Sequence, residues 1–129
     1  MAAFGDTDAV SKLETLVLNE IELDDEMAKC LGKVSTFRDL KRLSVVDNPR
    51  LEINGFASLL NAKFAPQLEL LAVGSDWIRD DLVQLLVESQ LSSTINLWLK
   101  GHNLHVDNDT FKERFPNCSF GDNPIGRHL

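Results

Sequence analysis

His102 and His105 stand in an H-x-x-H spacing, with Cys118 and His128 further along the chain. A zinc site needs three or four such donors converging on one point. Two histidines on a connecting segment without a matching pair do not supply that, so they read as loop residues and no metal is expected. The acidic pairs Asp24/Asp25 and Asp80/Asp81 have the composition of paired catalytic carboxylates. Each opens a stretch of helical apolar periodicity, where capping and the positive end of a helix dipole account for acidic residues. Gly5, Gly32, Gly55, Gly74, Gly101, Gly121 and Gly126 are isolated, so no glycine-rich loop cradles a phosphate. No Ser or Cys lies in a nucleophile motif, and tyrosine is absent. These residues assemble no catalytic constellation. A protein that is not an enzyme, with no cofactor and no small-molecule substrate, is expected.

Composition narrows the partners. The chain of 129 residues carries a net charge of −7, and its basic residues are scattered. A nucleic-acid binder gathers Lys and Arg into a patch that displaces counterions. Here Arg38, Lys41 and Arg42 form the one local cluster, flanked by Asp39 and Asp47, and it reads as solvated surface. No nucleic acid is expected as partner. Apolar runs fall far short of the roughly 18 residues of a membrane span, so no membrane association is expected. Met1-Ala-Ala-Phe-Gly-Asp has no basic region followed by an apolar stretch, which predicts a cytoplasmic or nuclear protein without a secretory signal. Cys30 and Cys118 are expected to be buried, reduced thiols, in keeping with a reducing compartment.

The elements that position these residues come from one recurring pattern. Leu13, Leu16, Leu18, Ile21 and Leu23 are followed by Leu40, Leu43, Val45, Asn48 and Leu51. A third copy is Leu68, Leu71, Val73, Asp76 and Ile78, and a fourth is Thr94, Leu97, Leu99, His102 and Leu104. The first anchors lie 27, 28 and 26 residues apart. A period of about 20–50 residues marks an architecture in which each unit buries its apolar face on its neighbours. Strands are predicted near 15–19, 42–46, 70–74 and 96–100, stacked in parallel. Between them, helical stripes run through Met27, Cys30 and Leu31; through Phe56, Leu59, Leu60 and Phe64 up to Pro66; through Leu82, Leu85, Leu86 and Leu91; and through Phe111 and Phe115. Pro116 to Phe120 has the makings of a fifth, truncated strand. Phe56, Phe64, Phe111, Phe115 and Phe120 are expected in the core.

This pattern, L-x-x-L-x-L-x-x-N-x-L in four copies, resembles the leucine-rich repeat family. Its unit length and helix-like second half resemble the ribonuclease-inhibitor-like branch. The resemblance spans Leu13 to Phe120 and implies an α/β solenoid, with a curved parallel sheet on the concave face and helices on the convex face. By length the chain is one domain over residues 1–129, and the repeats divide it into 1–12 as an N-terminal cap, 13–120 as repeats, and 121–129 as a C-terminal cap or tail. The position usually held by Asn is Ile21, Asn48, Asp76 and His102 here. Asn48, and Asp76 after it, are the residues able to make the family's side-chain bonds between turns. Pro49-Arg50 lengthens one loop by a residue.

Strand alternation then assigns faces. Leu16/Leu18, Leu43/Val45, Leu71/Val73 and Leu97/Leu99 face the core. Thr15, Val17 and Asn19, Arg42, Ser44 and Val46, Leu70, Ala72 and Gly74, and Asn96, Trp98 and Lys100 face the open side. Trp and Arg dominate interface hot spots, so a partner-binding patch is expected at Trp98, Leu70, Arg42, Val46, Ala72, Lys100 and Val17. The competing reading is that residues 121–129 fold over Trp98 and bury it. Trp77 reads as cover for the edge of the adjacent unit. The family implies a protein-interaction scaffold whose partner is another protein. The alternative is a structural subunit, or an excised segment of a larger assembly, that stacks through a solenoid end; oligomeric state separates the two. A GTPase-activating role, found in some relatives of this branch, would need an arginine or asparagine on a loop, for which Arg50 and Arg79 are the loop arginines.

Overall fold

The computed structural model of the chain describes residues 12–33, 37–74, 80–100 and 109–120. Strands β1 (Thr15–Val17), β2 (Arg42–Ser44), β3 (Leu70–Gly74), β4 (Asn96–Lys100) and β5 (Cys118–Phe120) form one parallel sheet in sequence order. Parallel neighbours need a crossover of about a dozen residues or more, usually helical. The observed links carry α1 (Asp25–Lys33), α2 (Ile53–Leu60) with a 3-10 turn at Ala65–Gln67, α3 (Asp80–Glu88) and α4 (Asp109–Arg114). Among the described residues, no helix is long and apolar enough to cross a membrane.

The register places Leu16, Leu43, Leu71, Leu97 and Cys118 level across the sheet. The fifth strand expected from Pro116–Phe120 therefore exists, and Phe115-x-x-Cys118-x-Phe120 reproduces the strand spacing of the earlier copies. Assigned strands β1 and β2 are shorter than 15–19 and 42–46, yet their ladder continues. Leu18 N–H donates to Ser44 O (2.8 Å), Glu20 N–H to Val46 O (3.1 Å), Val45 N–H to Ala72 O (2.9 Å), and Asp47 N–H to Gly74 O (2.8 Å). Glu20 and Asp47, 27 residues apart, then both take left-handed backbone, at φ 54° and 61°. Gly74, at φ 120°, occupies a region that residues with a Cβ avoid.

Helix boundaries follow local chemistry. Asp24 Oδ1 accepts the Met27 N–H at 2.9 Å, the N-cap geometry expected of an acidic residue there. Helix α2 starts earlier than Phe56 and stops at Leu60, with Asn61 as its C-cap. Pro66 does not end that helix. It sits at the start of the following 3-10 turn, where its missing N–H costs nothing. Helices α1 and α2 meet closely: a Cβ on Gly32 would lie 2.6 Å from the Ser58 carbonyl oxygen, and one on Gly55 would overlap Asp25 and Leu51.

One core joins the sheet to the helices. Leu43, Val45, Leu71, Val73, Leu97 and Leu99 pack with Ala28 and Leu31 of α1, Leu59 and Leu60 of α2, Leu82, Val83 and Leu86 of α3, and Phe111 of α4. The helices thus cover the sheet face that alternation assigns to these leucines and valines. Leu16 and Leu18, assigned to the core, are only half-buried, since they lie on the edge strand. Phe111 and Phe115 pack tilted at 60° with centroids 5.3 Å apart, and Phe64 meets Phe37 edge-on at 6.0 Å. Phe56 is half-buried against this cluster. The Phe120 side chain, and residues 1–11, Trp77, Asp76, Ile78 and Leu104, lie outside the described set.

Candidate functional site

The sheet face opposite the helices is built from one alternating set of side chains. Register aligns Thr15, Arg42, Leu70 and Asn96 in one row, and Val17, Ser44, Ala72, Trp98 and Ser119 in the next. Thr15, Val17, Arg42, Leu70 and Trp98 are half-buried, while Asn96 and Ser119 are exposed. The Lys100 side chain is outside the described set, although its backbone closes β4 opposite Gly74.

Two of the seven expected contact residues lie too deep to meet a partner. Ala72 is fully buried and Val46 is 2% exposed, although both stand outside the helix-side core. Ala72 is a single methyl held in register between Ser44 and Trp98. Asn19 bonds to both Ser44 and Val46. Its Oδ1 accepts the Ser44 hydroxyl at 2.7 Å and the Val46 N–H at 2.8 Å, so the carboxamide folds across onto β2. What remains of the expected patch is Val17, Arg42, Leu70 and Trp98, with Lys100 at its border.

Charge lies at the start of the strands. Lys41 Nζ is 3.4 Å from a Glu14 carboxylate oxygen and 3.9 Å from one of Glu69, so the residues just before β1, β2 and β3 make an exposed row of alternating sign. Such exposed pairs contribute about 0–1 kcal/mol each. One residue along, Arg42 donates from Nε to Thr15 Oγ1 at 2.8 Å and has no carboxylate within ion-pair distance among the described residues. The solvated cluster expected at Arg38, Lys41 and Arg42 is thus three separate environments, with Arg38 exposed and Arg42 half-buried.

Asn48 explains how the loops beyond this face are held. It is 4% exposed, its Oδ1 accepts the N–H groups of Ile21 (3.1 Å) and Leu23 (2.9 Å), and its Nδ2 donates to Leu18 O (2.7 Å). One side chain therefore satisfies three backbone groups of the preceding turn, the bonding expected of an asparagine at that position.

Among the described residues, the remaining chemistry-bearing side chains do not converge. His102, His105 and His128 lie outside the described set, and among the described residues no three His, Cys, Asp or Glu side chains cluster as metal ligands. Asp24 and Asp25 are occupied at helix ends, Asp25 Oδ1 accepting the Glu52 N–H at 2.7 Å. Arg50 is exposed on its turn, and Arg79 is outside the described set. Both cysteines are free, but Cys30 is exposed rather than buried, because it falls on the outward side of α1 between the inward Ala28 and Leu31. Cys118 is half-buried, and desolvation pushes its thiol from an ordinary 9.0 up to about 11, which makes it a poor nucleophile at neutral pH. Compared with known proteins, the chain matches no family model, no curated protein and no solved structure.

Proposed function

We propose that this chain is a leucine-rich repeat solenoid acting as a non-enzymatic protein-interaction module, which binds another protein on the sheet face opposite its helices. The observation that carries the reading is the composition of that face. Val17, Leu70 and Trp98 are half-buried apolar side chains around Arg42 on a hydrogen-bonded parallel sheet. Tryptophan and arginine supply a disproportionate share of binding energy, and a side chain fixed on a sheet loses little freedom when a partner arrives. The 26–28-residue spacing of the first four anchors and the bonds from Asn48 to the preceding turn support the solenoid.

Trp98→Ala tests the reading. In a pull-down from cell extract followed by titration with the captured partner, affinity should fall by about 2 kcal/mol or more, near thirtyfold. Because Trp98 is already partly exposed, its loss should cost the fold well under the roughly 3–5 kcal/mol of a core aromatic. Undiminished binding, or a collapse in melting temperature, would refute the proposal.

A further inference from the structure

We propose that Arg42 is the receptor for a carboxylate, and that the partner segment carries one Asp or Glu together with an apolar residue that lands on Leu70 and Trp98. This rests on the proposed use of the sheet face and adds the chemistry of what binds there. Among the side chains described on that face, Arg42 is the one that is charged, on a protein whose net charge is −7. Lys41, its neighbour in sequence, sits between Glu14 and Glu69, so the nearby acidic charge is already engaged. The Thr15 hydroxyl takes only the Arg42 Nε–H. Both Nη groups are left without a protein acceptor among the described residues, and they present the planar fork that suits a carboxylate.

The Arg42 side chain is half-buried and its Nε bond to Thr15 is part-buried, so a carboxylate pairing with the free Nη groups would make charge-assisted bonds partly sheltered from water. The Thr15 bond fixes the head group beforehand, which lowers the ordering cost of binding. Leu70 stands level with Arg42 on the next strand, and Trp98 lies one strand further and two residues along. With strands about 4.8 Å apart and about 3.3 Å per residue, Arg42 and Trp98 are separated by roughly 12 Å at the backbone. An extended partner spans that distance in three or four residues. A long acidic tract is disfavoured, since the rest of the molecule would repel it; one carboxylate amid apolar residues fits.

The experiment is to pan a random-peptide phage library on the full chain and titrate the best synthetic peptide against wild type, Arg42→Gln, Arg42→Lys and Trp98→Ala. Melting temperatures serve as the folding control. The expected result is enrichment of Asp or Glu three or four positions from a large apolar residue. Affinity should fall at least tenfold with Arg42→Gln and be partly retained with Arg42→Lys. Changing the peptide acid to its amide should cost nothing further on Arg42→Gln. Peptides that need Trp98 but neither carry an acid nor respond to Arg42→Gln would overturn the carboxylate assignment and leave the face standing. Peptides indifferent to both residues would overturn the face as well, and recovery of no peptide would overturn the linear-segment proposal.

Discussion

Asn48→Ala removes a side chain that serves three backbone groups at once. The variant strips the acceptor from Ile21 N–H and Leu23 N–H and the donor from Leu18 O, at a site 4% exposed. At about 1 kcal/mol for each lost bond, and more where water cannot replace it, the loss should be about 3 kcal/mol. That is a large part of the roughly 5–15 kcal/mol available to a domain. With a urea m-value of about 2 kcal/mol/M, the unfolding midpoint should drop by about 1.5 M at unchanged slope. Hydrogen exchange localises the effect: the Ile21 and Leu23 amides should lose protection beyond the global change, while amides of β3 and β4 follow the global stability. A midpoint shift under about 0.5 M, or unchanged relative protection at Ile21 and Leu23, would refute the account of Asn48 as the tie between successive turns.

Two further outcomes follow from other contacts. Arg114 donates from Nε to Val87 O (3.1 Å) and from Nη2 to Ser89 O (3.0 Å) and Leu91 O (2.6 Å), with its guanidinium 4.4 Å over the Phe115 ring. Arg114→Ala should cost about 2–3 kcal/mol in denaturant unfolding, and Arg114→Lys should recover only part, since an ammonium cannot span three carbonyls in one plane; a lysine variant as stable as wild type would contradict this. For the thiols, reagent in denaturant without reductant should find both cysteines, whereas in the folded chain at pH 8 Cys118 should react far more slowly than after unfolding. Its folded pKa, about 11, lies above the ordinary 9.0, so its contribution to stability is full below about pH 9 and is lost as pH rises through 11. A Cys118→Ser chain that loses stability over that window as steeply as wild type would sink the assignment.

The parallel order of the sheet was legible in the sequence, and the reason is periodicity. Anchors such as Leu43, Leu71 and Leu97 repeat at a spacing that fits one strand, one helix and two loops, and they land level in the sheet. The fifth strand was harder to read, because Phe115, Cys118 and Phe120 replace leucines and follow the fourth anchor after only 21 residues. Alternation correctly separated the face holding Arg42 and Trp98 from the core side, but it says nothing of depth. Ala72 and Val46 are buried although both stand outside the helix-side core, and the Asn19 carboxamide that bonds the Val46 N–H comes from 27 residues earlier in the chain. Such lateral bonds join residues 25 or more apart and leave no local signature. Cys30 differs from expectation for a related reason: helical spacing places it beside Leu31, and only the packing decides which of the two turns inward. Pro66 read as a helix stop, although Asn61 had already ended α2.

The ties that hold this sheet also separate its stability from its binding. Asn48 bonds to residues 18–23, Arg42 and Ser44 bond to β1 and the residue pair beyond it, and Arg114 bonds to the end of α3. Each joins a segment only to a near neighbour in the sheet order. The separation of Arg42 from Leu70 and Trp98 depends instead on the pairing of β2 with β3 and of β3 with β4. Asn48→Ala loosens the turn at residues 18–23 beyond β1 and leaves the Thr15–Arg42 bond and the pairing of Val17 with Ser44 in place, so the contact face should stay intact as long as the chain remains folded. Peptide affinity measured at low temperature should therefore match wild type within about twofold, even though the midpoint in urea has fallen. A tenfold loss under those conditions would mean that the Asn48 bonds to residues 18–23 also hold the contact face in shape, and stability and binding would not be separable at this position.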